Sequence, residues 1–159
     1  MRCGRETAGE GVDWGGDFFE EFKLLTLVVQ SQDGFKLNMW DIGGQKAIRP
    51  YWKNYYDNTD GMIFVVDSSD EERLKECIEE LQSLLAEEGL KQVPILVYAN
   101  KQDLQFALEA EEILEHLKLQ EIQDRTWNIQ ACSALTKEGL KEGMEWLVKT
   151  VSDIKKAKA

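Results

Sequence analysis

The sequence predicts an α/β domain with a mostly parallel sheet and helices on both of its faces. Residues 61–67 and 94–99 form continuous apolar runs, which are typical of strands buried on both sides. Behind each run, apolar residues recur at the spacing of one face of a helix. An alternation of buried strands with amphipathic helices builds a parallel sheet with right-handed crossovers.

Size and composition indicate a single globular domain. The chain has 159 residues, of which 43% are hydrophobic, so it can bury a substantial core. Its net charge of −11 argues against binding to nucleic acid and to anionic membranes. Cys3, Cys77 and Cys132 are too widely spaced for a metal motif or a disulfide framework, so we expect a reducing, cytoplasmic setting. No membrane anchor is visible, because residue 2 is not glycine and no apolar run approaches about 18 residues.

The beginning of the chain predicts a leader followed by a β-hairpin. Residues 1–21 are rich in Gly, Glu and Asp and have no period, so we expect an unmatched, disordered leader. An apolar run then covers residues 22–29, and residues 35–41 alternate between apolar and polar side chains. The Asp33-Gly34 dipeptide between the two runs is a hairpin signal.

Periodicity and end signals mark the rest of the domain. Residues 47–58 predict a loop followed by a short helix. Ser69 and Glu72 have the spacing of a capping box, which predicts the start of a helix that reaches Leu85. The remaining predictions are a helix over residues 107–117, a strand over residues 127–132, a helix over residues 140–151, a domain over residues 22–155 and a solvated tail at residues 156–159.

Polar residues follow three of the predicted strands, at the edge of the sheet where such folds bind ligands. After one of them, Asp103 can accept two parallel hydrogen bonds from guanine, whereas adenine would leave its charge unpaired. The stem of Lys101 can lie over a base, and Asn100 can tie neighbouring loops together. Taken alone, this stretch is equally well explained as a polar loop without a ligand.

The other two stretches offer phosphate and base chemistry. After its strand, Asp41 can hold a metal ion through water, the N–H of Gly44 can approach a phosphate, and Gln45 can orient an attacking water. Ser133 and Ala134 follow the third strand, where a small residue lets a backbone N–H approach the guanine O6. A Gly-Gly turn and an ordinary turn into a helix are the plainer alternatives for these stretches.

Several motifs together resemble the Ras-superfamily small GTPases, and within them the Arf-like family. The resemblance covers the chain from about residue 30 onward and is closest to the branch that binds carriers of lipidated cargo. It implies a small-GTPase fold of the P-loop NTPase type. The matching motifs are WDIGGQ at residues 40–45, RPYW at 49–52, VVDS at 65–68, ANKQDL at 99–104 and IQACSAL at 129–135.

The resemblance implies a molecular switch that binds guanine nucleotide with Mg²⁺, hydrolyses GTP and recruits effectors for intracellular or ciliary trafficking. The implied partners are effector, GTPase-activating and exchange-factor proteins, in a cytoplasmic, ciliary or Golgi-associated setting, and we expect a monomer. The implied site consists of Gln45 as the catalytic residue, Gly44, Asn100, Lys101, Asp103, Ser133 and Ala134 at the nucleotide, Asp41 at the metal, and Trp40 and Tyr55 at the effector.

The sequence departs from this family before the hairpin. It contains no Gly-x-x-x-x-Gly-Lys-Ser/Thr, so we expect a fold that lacks the family's first strand, P-loop, first helix and switch threonine. Losing even three phosphate bonds of about 1.5–3 kcal/mol each would weaken nucleotide binding about a thousandfold or more. Two functions therefore stay open: a GTP-binding switch, or a truncated pseudo-GTPase that acts only as a protein-interaction module. A third interpretation concerns the origin of the sequence, which would then be an incomplete gene model or a splice form.

The missing first strand would leave a gap beside residues 62–66 in the middle of the sheet. The apolar run at residues 22–29 could fill this gap, but the Asp33-Gly34 turn favours its pairing in the hairpin instead.

Overall fold

The computed structural model describes residues 7–8, 23–31, 35–43, 47–57 and 59–158, and for β1, β2 and nearly all of β3 it describes the backbone alone. Within these residues the strands are β1 (Thr7–Ala8), β2 (Lys23–Ser31), β3 (Phe35–Gly43), β4 (Gly61–Asp67), β5 (Ile95–Asn100) and β6 (Trp127–Ala131). The α-helices are α1 (Glu71–Leu85), α2 (Ala110–Leu117) and α3 (Leu140–Lys158), and 3-10 helices cover Arg49–Tyr55, Glu88–Leu90 and Leu119–Glu121.

The described strands form one sheet in the order β1-β3-β2-β4-β5-β6. Strands β4, β5 and β6 are parallel, as their connections through helices require. Strand β2 is antiparallel to both of its neighbours, β3 and β4. The α/β architecture predicted from the alternation of strands and helices is confirmed, with an antiparallel part at the beginning of the chain.

Two apolar layers hold the helices on the sheet. Alternate residues of β4, such as Phe64, face the layer that contains α1 and α2. The residues between them, such as Val65, face α3 and the second layer. Because both faces of β4 and β5 are covered, these strands are apolar up to their last residues, Asp67 and Asn100, which is the pattern that made them predictable.

Strand β2 both forms the hairpin and fills the centre of the sheet. Its residue Leu24 pairs with Ile42 of β3 on one side and with Phe64 of β4 on the other. The Asp33-Gly34 turn favoured the hairpin over the gap-filling position, but the two placements are compatible, since a strand has hydrogen-bonding groups on both sides. The antiparallel insertion thereby pairs edges that would otherwise be open.

The predicted capping box at Ser69 and Glu72 is wrong. The N-cap of α1 is Asp70, whose Oδ1 accepts the backbone N–H of Arg73 at 3.1 Å. Ser69 is occupied elsewhere, because its hydroxyl donates to Oδ1 of Asp67 at 2.6 Å. The helix predicted over residues 107–117 also begins later, at Ala110.

Two described elements include residues outside the predicted domain, which covers residues 22–155. Thr7–Ala8, within the predicted disordered leader, pairs with Leu37 and Lys36 of β3. The other leader residues lie outside the described ranges. Helix α3 continues to Lys158 and so includes part of the predicted tail at residues 156–159. In the part of the chain that the structure describes, no helix is long and apolar enough to cross a bilayer.

Candidate functional site

The carboxyl ends of β4, β5 and β6 meet at one edge of the sheet. The backbone N–H of Ser68, after β4, donates to the carbonyl of Asn100 at the end of β5 at 3.1 Å. The N–H of Gln102 in turn donates to the carbonyl of Cys132, after β6, at 3.1 Å. The structure therefore brings together the two stretches that were predicted to read a base.

The buried side chain of Asn100 links these two loops. Its side chain is only 2% exposed, and its Oδ1 accepts the backbone N–H of Ala134 at 3.0 Å. The thiol of Cys132 donates to the same oxygen at 3.8 Å. Burial in an apolar surrounding raises the pKa of Cys132 to about 12, so this thiol stays protonated and able to donate. An amide fixed in this way sets the distance between the loops.

Asp103 is oriented by a hydroxyl. The side chain of Ser133, which is buried, donates from Oγ to Oδ1 of Asp103 at 2.6 Å. The same Oγ accepts the backbone N–H of Thr136 at 3.1 Å. Asp103 itself is exposed, and within the described residues its Oδ2 accepts no hydrogen bond. Its carboxylate is therefore held in place and open to a ligand.

The side chain of Lys101, in the loop after β5, reaches Asp67 at the end of β4. Its backbone has a φ of 68°, a left-handed conformation that costs roughly 1 kcal/mol or more in a residue other than glycine. Its Nζ lies 2.7 Å from Oδ2 of Asp67, and both side chains are partly buried. Such local strain is often found at binding sites, where the surrounding structure imposes it.

Asp67 was not among the site residues predicted from the sequence. Its position as the polar end of an apolar strand could have indicated a site residue, but Asp67 entered the prediction only as part of the family motif VVDS. Burial alone would raise the pKa of Asp67, but hydrogen bonds from Lys101 and Ser69 hold it below the ordinary value of 3.8. Asp67 is therefore ionised in the folded protein, and its charge fixes the amine of Lys101.

Replacing Asp67 with asparagine is expected to lower the free energy of unfolding at neutral pH. In acid the wild type and the variant should become equally stable. The folded pKa lies below the unfolded one, so the carboxylate stabilises the fold above about pH 4 and loses this contribution as the pH falls through its folded pKa. Urea unfolding of both proteins between pH 3 and 7 should show their curves converging below about pH 4. Asp153→Asn, an exposed site on α3, controls for the change in net charge, and a gap that is constant with pH would contradict the expectation.

The segment that contains Tyr55 is docked on helix α1. It forms the 3-10 helix Arg49–Tyr55, in agreement with the predicted short helix, and buries Trp52 in the core. Arg49 lies 2.8 Å from Glu76 and 2.6 Å from Glu80, both on α1. Tyr55 is half-buried and packs against the core, so part of its ring remains accessible.

The residues predicted to act on phosphate lie where the structure describes little beyond the backbone. By register, Asp41 pairs with Leu25 and Trp40 pairs with Thr26 in the hairpin. Gly43, at the end of β3, pairs with Lys23, which also pairs with Val65, so β3 ends near the same edge as β4.

Gly44 and Gln45 lie outside the described residues. Over the residues that are described, no group of three or more His, Cys, Asp or Glu side chains is placed to hold a metal ion. A metal role for Asp41 and a catalytic role for Gln45 stay predictions.

Comparisons with known proteins agree with the motifs. The family model of the ADP-ribosylation factor family matches residues 22–151. ADP-ribosylation factor-like protein 3 of Chlamydomonas reinhardtii is 60% identical over 121 residues, covering 76% of this chain and 68% of that protein. The protein of the same name from Caenorhabditis elegans is 51% identical over 128 residues, covering 80% of this chain and 70% of its own length.

A solved structure supports the same assignment. The Arl6 BBS3 small GTPase from Trypanosoma brucei, with bound nucleotide analogue GppNp, has a TM-score of 0.69 and 36% identity to this chain. The match covers 81% of this chain and 80% of that one. The small-GTPase fold implied by the resemblance is confirmed, and with the family model and the two relatives it establishes that the chain belongs to the ADP-ribosylation factor family as an Arf-like small GTPase.

Proposed function

We propose that the edge formed by the β5 and β6 loops binds the base of a guanine nucleotide. The observation that supports this most is the hydrogen bond from Ser133 to Asp103, which orients an exposed carboxylate before any ligand arrives. Such a carboxylate can accept hydrogen bonds from the N1–H and exocyclic amine of guanine. Preorganisation reduces the entropy that binding would otherwise cost.

The neighbouring residues complete a pocket of the right chemistry. The aliphatic stem of Lys101 can cover one face of the base while its amine stays with Asp67. The backbone N–H of Ala134, the expected donor to the guanine O6, donates to Oδ1 of Asn100 at 3.0 Å, so it would have to leave this acceptor to bind O6. Adenine presents an amine in place of O6 and lacks the N1–H, so it would leave both the carboxylate and a donor unpaired.

The switch roles extend this proposal to the phosphates. In a nucleotide-bound state, Gly44 would contact the γ-phosphate, Gln45 would orient the hydrolytic water, and Asp41 would reach Mg²⁺ through water. Trp40 and Tyr55 would contact effectors in intracellular or ciliary trafficking. The bound GppNp of the Trypanosoma brucei relative supports nucleotide binding in this fold.

A second function is favoured by the position of β2. The resemblance implies a phosphate-binding strand between the hairpin and β4, but here β2 runs antiparallel in that place. Its carboxyl end therefore lies at the opposite edge from the base-reading loops, where a following loop cannot reach the phosphates. This arrangement suits a protein-interaction module with little nucleotide binding and no hydrolysis.

Calorimetric titration of the purified 159-residue chain with GDP and ADP separates the two functions. The guanine site predicts that GDP binds at least about a hundredfold more tightly than ADP, because adenine would cover the Asp103 carboxylate without donating to it. Equal affinities would rule out base recognition. Absence of binding to both nucleotides, in a chain shown to be folded, would favour the interaction module.

Asp103→Asn is expected to bind xanthosine diphosphate more tightly than GDP, which reverses the preference of the wild type. The asparagine amide donates a hydrogen bond where the carboxylate accepts, which fits the 2-oxo group of xanthine and not the amine of guanine. The measurement is the same titration with both nucleotides. Asp124→Asn, an exposed aspartate away from this edge, should bind like the wild type, and an unchanged preference in Asp103→Asn would contradict the assigned role.

A further inference from the structure

Three large apolar side chains are exposed beside the base-reading loops. Leu104 is 45% exposed, Phe106 is 88% exposed and Leu135 is 81% exposed. Leu104 and Phe106 belong to the loop between β5 and α2, and Leu135 belongs to the loop between β6 and α3. The Ser133–Asp103 hydrogen bond joins these loops within two residues of Leu104 and Leu135. We call Leu104, Phe106 and Leu135 the loop patch.

The backbone beneath the loop patch is fixed by hydrogen bonds. The N–H of Leu104 donates to the carbonyl of Lys101 at 3.0 Å, and the N–H of Ala107 donates to the carbonyl of Leu104 at 3.2 Å. The N–H of Leu108 donates to the carbonyl of Ser68 at 2.8 Å. Large apolar groups held in water on an ordered loop lose little further entropy when a partner covers them, which is the property of a docking surface.

The segments that carry the loop patch are rich in acidic residues. Residues 102–117 contain five carboxylates and no lysine or arginine. Four of these are exposed glutamates on and before α2, and Glu138 is exposed three residues after Leu135. Lys137 is the single cation in the adjoining 133–139 segment. Exposed apolar side chains in such acidic segments are complementary to apolar anchors flanked by basic side chains.

Charge also argues against the other occupants. A second copy of the chain carries the same net charge of −11 and would be repelled. An anionic membrane would be repelled by the acidic residues of the same segments. Residues 9–22 of the chain itself contain aromatic side chains, but also five acidic residues and no basic ones. A basic partner is the occupant that the charges favour.

We propose that the loop patch docks a protein segment in which apolar anchors are flanked by lysine or arginine. Leu104 and Leu135 belong to the same two loops as the proposed base site, whereas the 3-10 helix Arg49–Tyr55 is a separate segment. Phe106 is the central anchor, because it is the most exposed of the three.

Selection from a random peptide library displayed on phage, with the 159-residue chain as bait, tests this proposal. Phage that also bind the double variant Phe106→Ser/Leu135→Ser are removed first. We expect the remaining peptides to combine aromatic or aliphatic residues with Lys and Arg. The strongest of them, made synthetically and measured by fluorescence anisotropy, should bind the double variant at least about tenfold more weakly.

Matched variants separate the contributions of the apolar side chains and of the acidic residues to the affinity for the peptide. Tyr51→Ser, which removes another exposed aromatic on the 3-10 helix, should leave the affinity unchanged. Glu111→Lys with Glu115→Lys should weaken binding and reduce its dependence on salt, because the attraction between these glutamates and a basic partner is electrostatic. Substitutions at such exposed sites usually change stability little, so the variants should remain folded, which their melting temperatures verify.

Several results would overturn the proposal. No enriched peptide, an acidic or uncharged consensus, or binding that survives the double variant would each do so. Sedimentation that shows a dimer abolished by Phe106→Ser would assign the loop patch to a second copy. Binding to phosphatidylserine vesicles that the double variant loses would assign it to a membrane.

Discussion

Replacing Gly139 with alanine is expected to destabilise the domain by about 2–4 kcal/mol. Gly139 has a φ of +75°, a conformation that L side chains rarely adopt. A Cβ atom at this position would lie 2.0 Å from the carbonyl oxygen of Ala131 and 3.1 Å from Cα of Cys132. Both are backbone atoms, so the clash can be relieved only by moving the end of β6 or the following loop.

The same displacement should reach the proposed base site. The backbone N–H of Ser133 donates to the carbonyl of Glu138 at 3.0 Å, so the loop containing Ser133 is tied to the residue before Gly139. We therefore expect Gly139→Ala to weaken GDP binding as well as stability. Urea unfolding and calorimetric titration measure the two effects.

Gly89→Ala is the matched control for this glycine. A Cβ at Gly89 would meet only Cβ of Tyr56, at an ordinary 3.4 Å. Its effect on stability should stay within about 0.5 kcal/mol, as for most surface substitutions. Equal unfolding free energies for the two variants would show that neither the φ angle nor the close contact constrains residue 139.

The sequence predicted the elements whose signals are local. Strands β4 and β5 are apolar except for their last residues because two layers bury them, and the helices that cover them have one apolar face. The place of β2 was not predictable in this way. Its apolar run and the Asp33-Gly34 turn specify a hairpin, but pairing on the second side depends on which other strand is available in the sheet.

The candidate site was predicted as far as topology determines it. Because parallel strands end at one edge, the positions of Asn100 and Ser133 implied that their loops would meet. The direction of individual side chains was not implied. The Lys101–Asp67 pair depends on a left-handed backbone at Lys101, and no propensity indicates that conformation for lysine. The choice of Asp70 over Ser69 as N-cap likewise depends on competition from Asp67.

Arg125 gave no sign of burial in the sequence. It follows Asp124 in a polar stretch before β6 and fits no apolar period. In the structure its side chain is 0% exposed. Its Nη1 donates to the carbonyl of Leu90 at 2.9 Å, and its Nη2 donates to the carbonyl of Leu85 at 3.0 Å. One guanidinium thus joins the end of α1, the 3-10 helix Glu88–Leu90 and the segment that enters β6.

Arg125→Met is therefore expected to lower the free energy of unfolding by about 3–5 kcal/mol. Methionine replaces the aliphatic stem but leaves the carbonyls of Leu85 and Leu90 without their donor, and each unsatisfied group costs about 1–3 kcal/mol. Urea unfolding measures the change. Asp124→Asn is the matched control, since Asp124 is 57% exposed and its ion pair with Arg125 is worth at most about 1 kcal/mol.

Stability and base recognition should separate in this variant. Arg125 lies just before the beginning of β6. Asp103 and Ser133 instead follow the carboxyl ends of β5 and β6. Arg125→Met should therefore keep any preference for GDP over ADP at temperatures where it is folded, unlike Gly139→Ala, which disturbs both properties. A loss of base preference in folded Arg125→Met would mean that the two ends of β6 are coupled. Wild-type stability in this variant would mean that water or the relaxed backbone satisfies the two carbonyls.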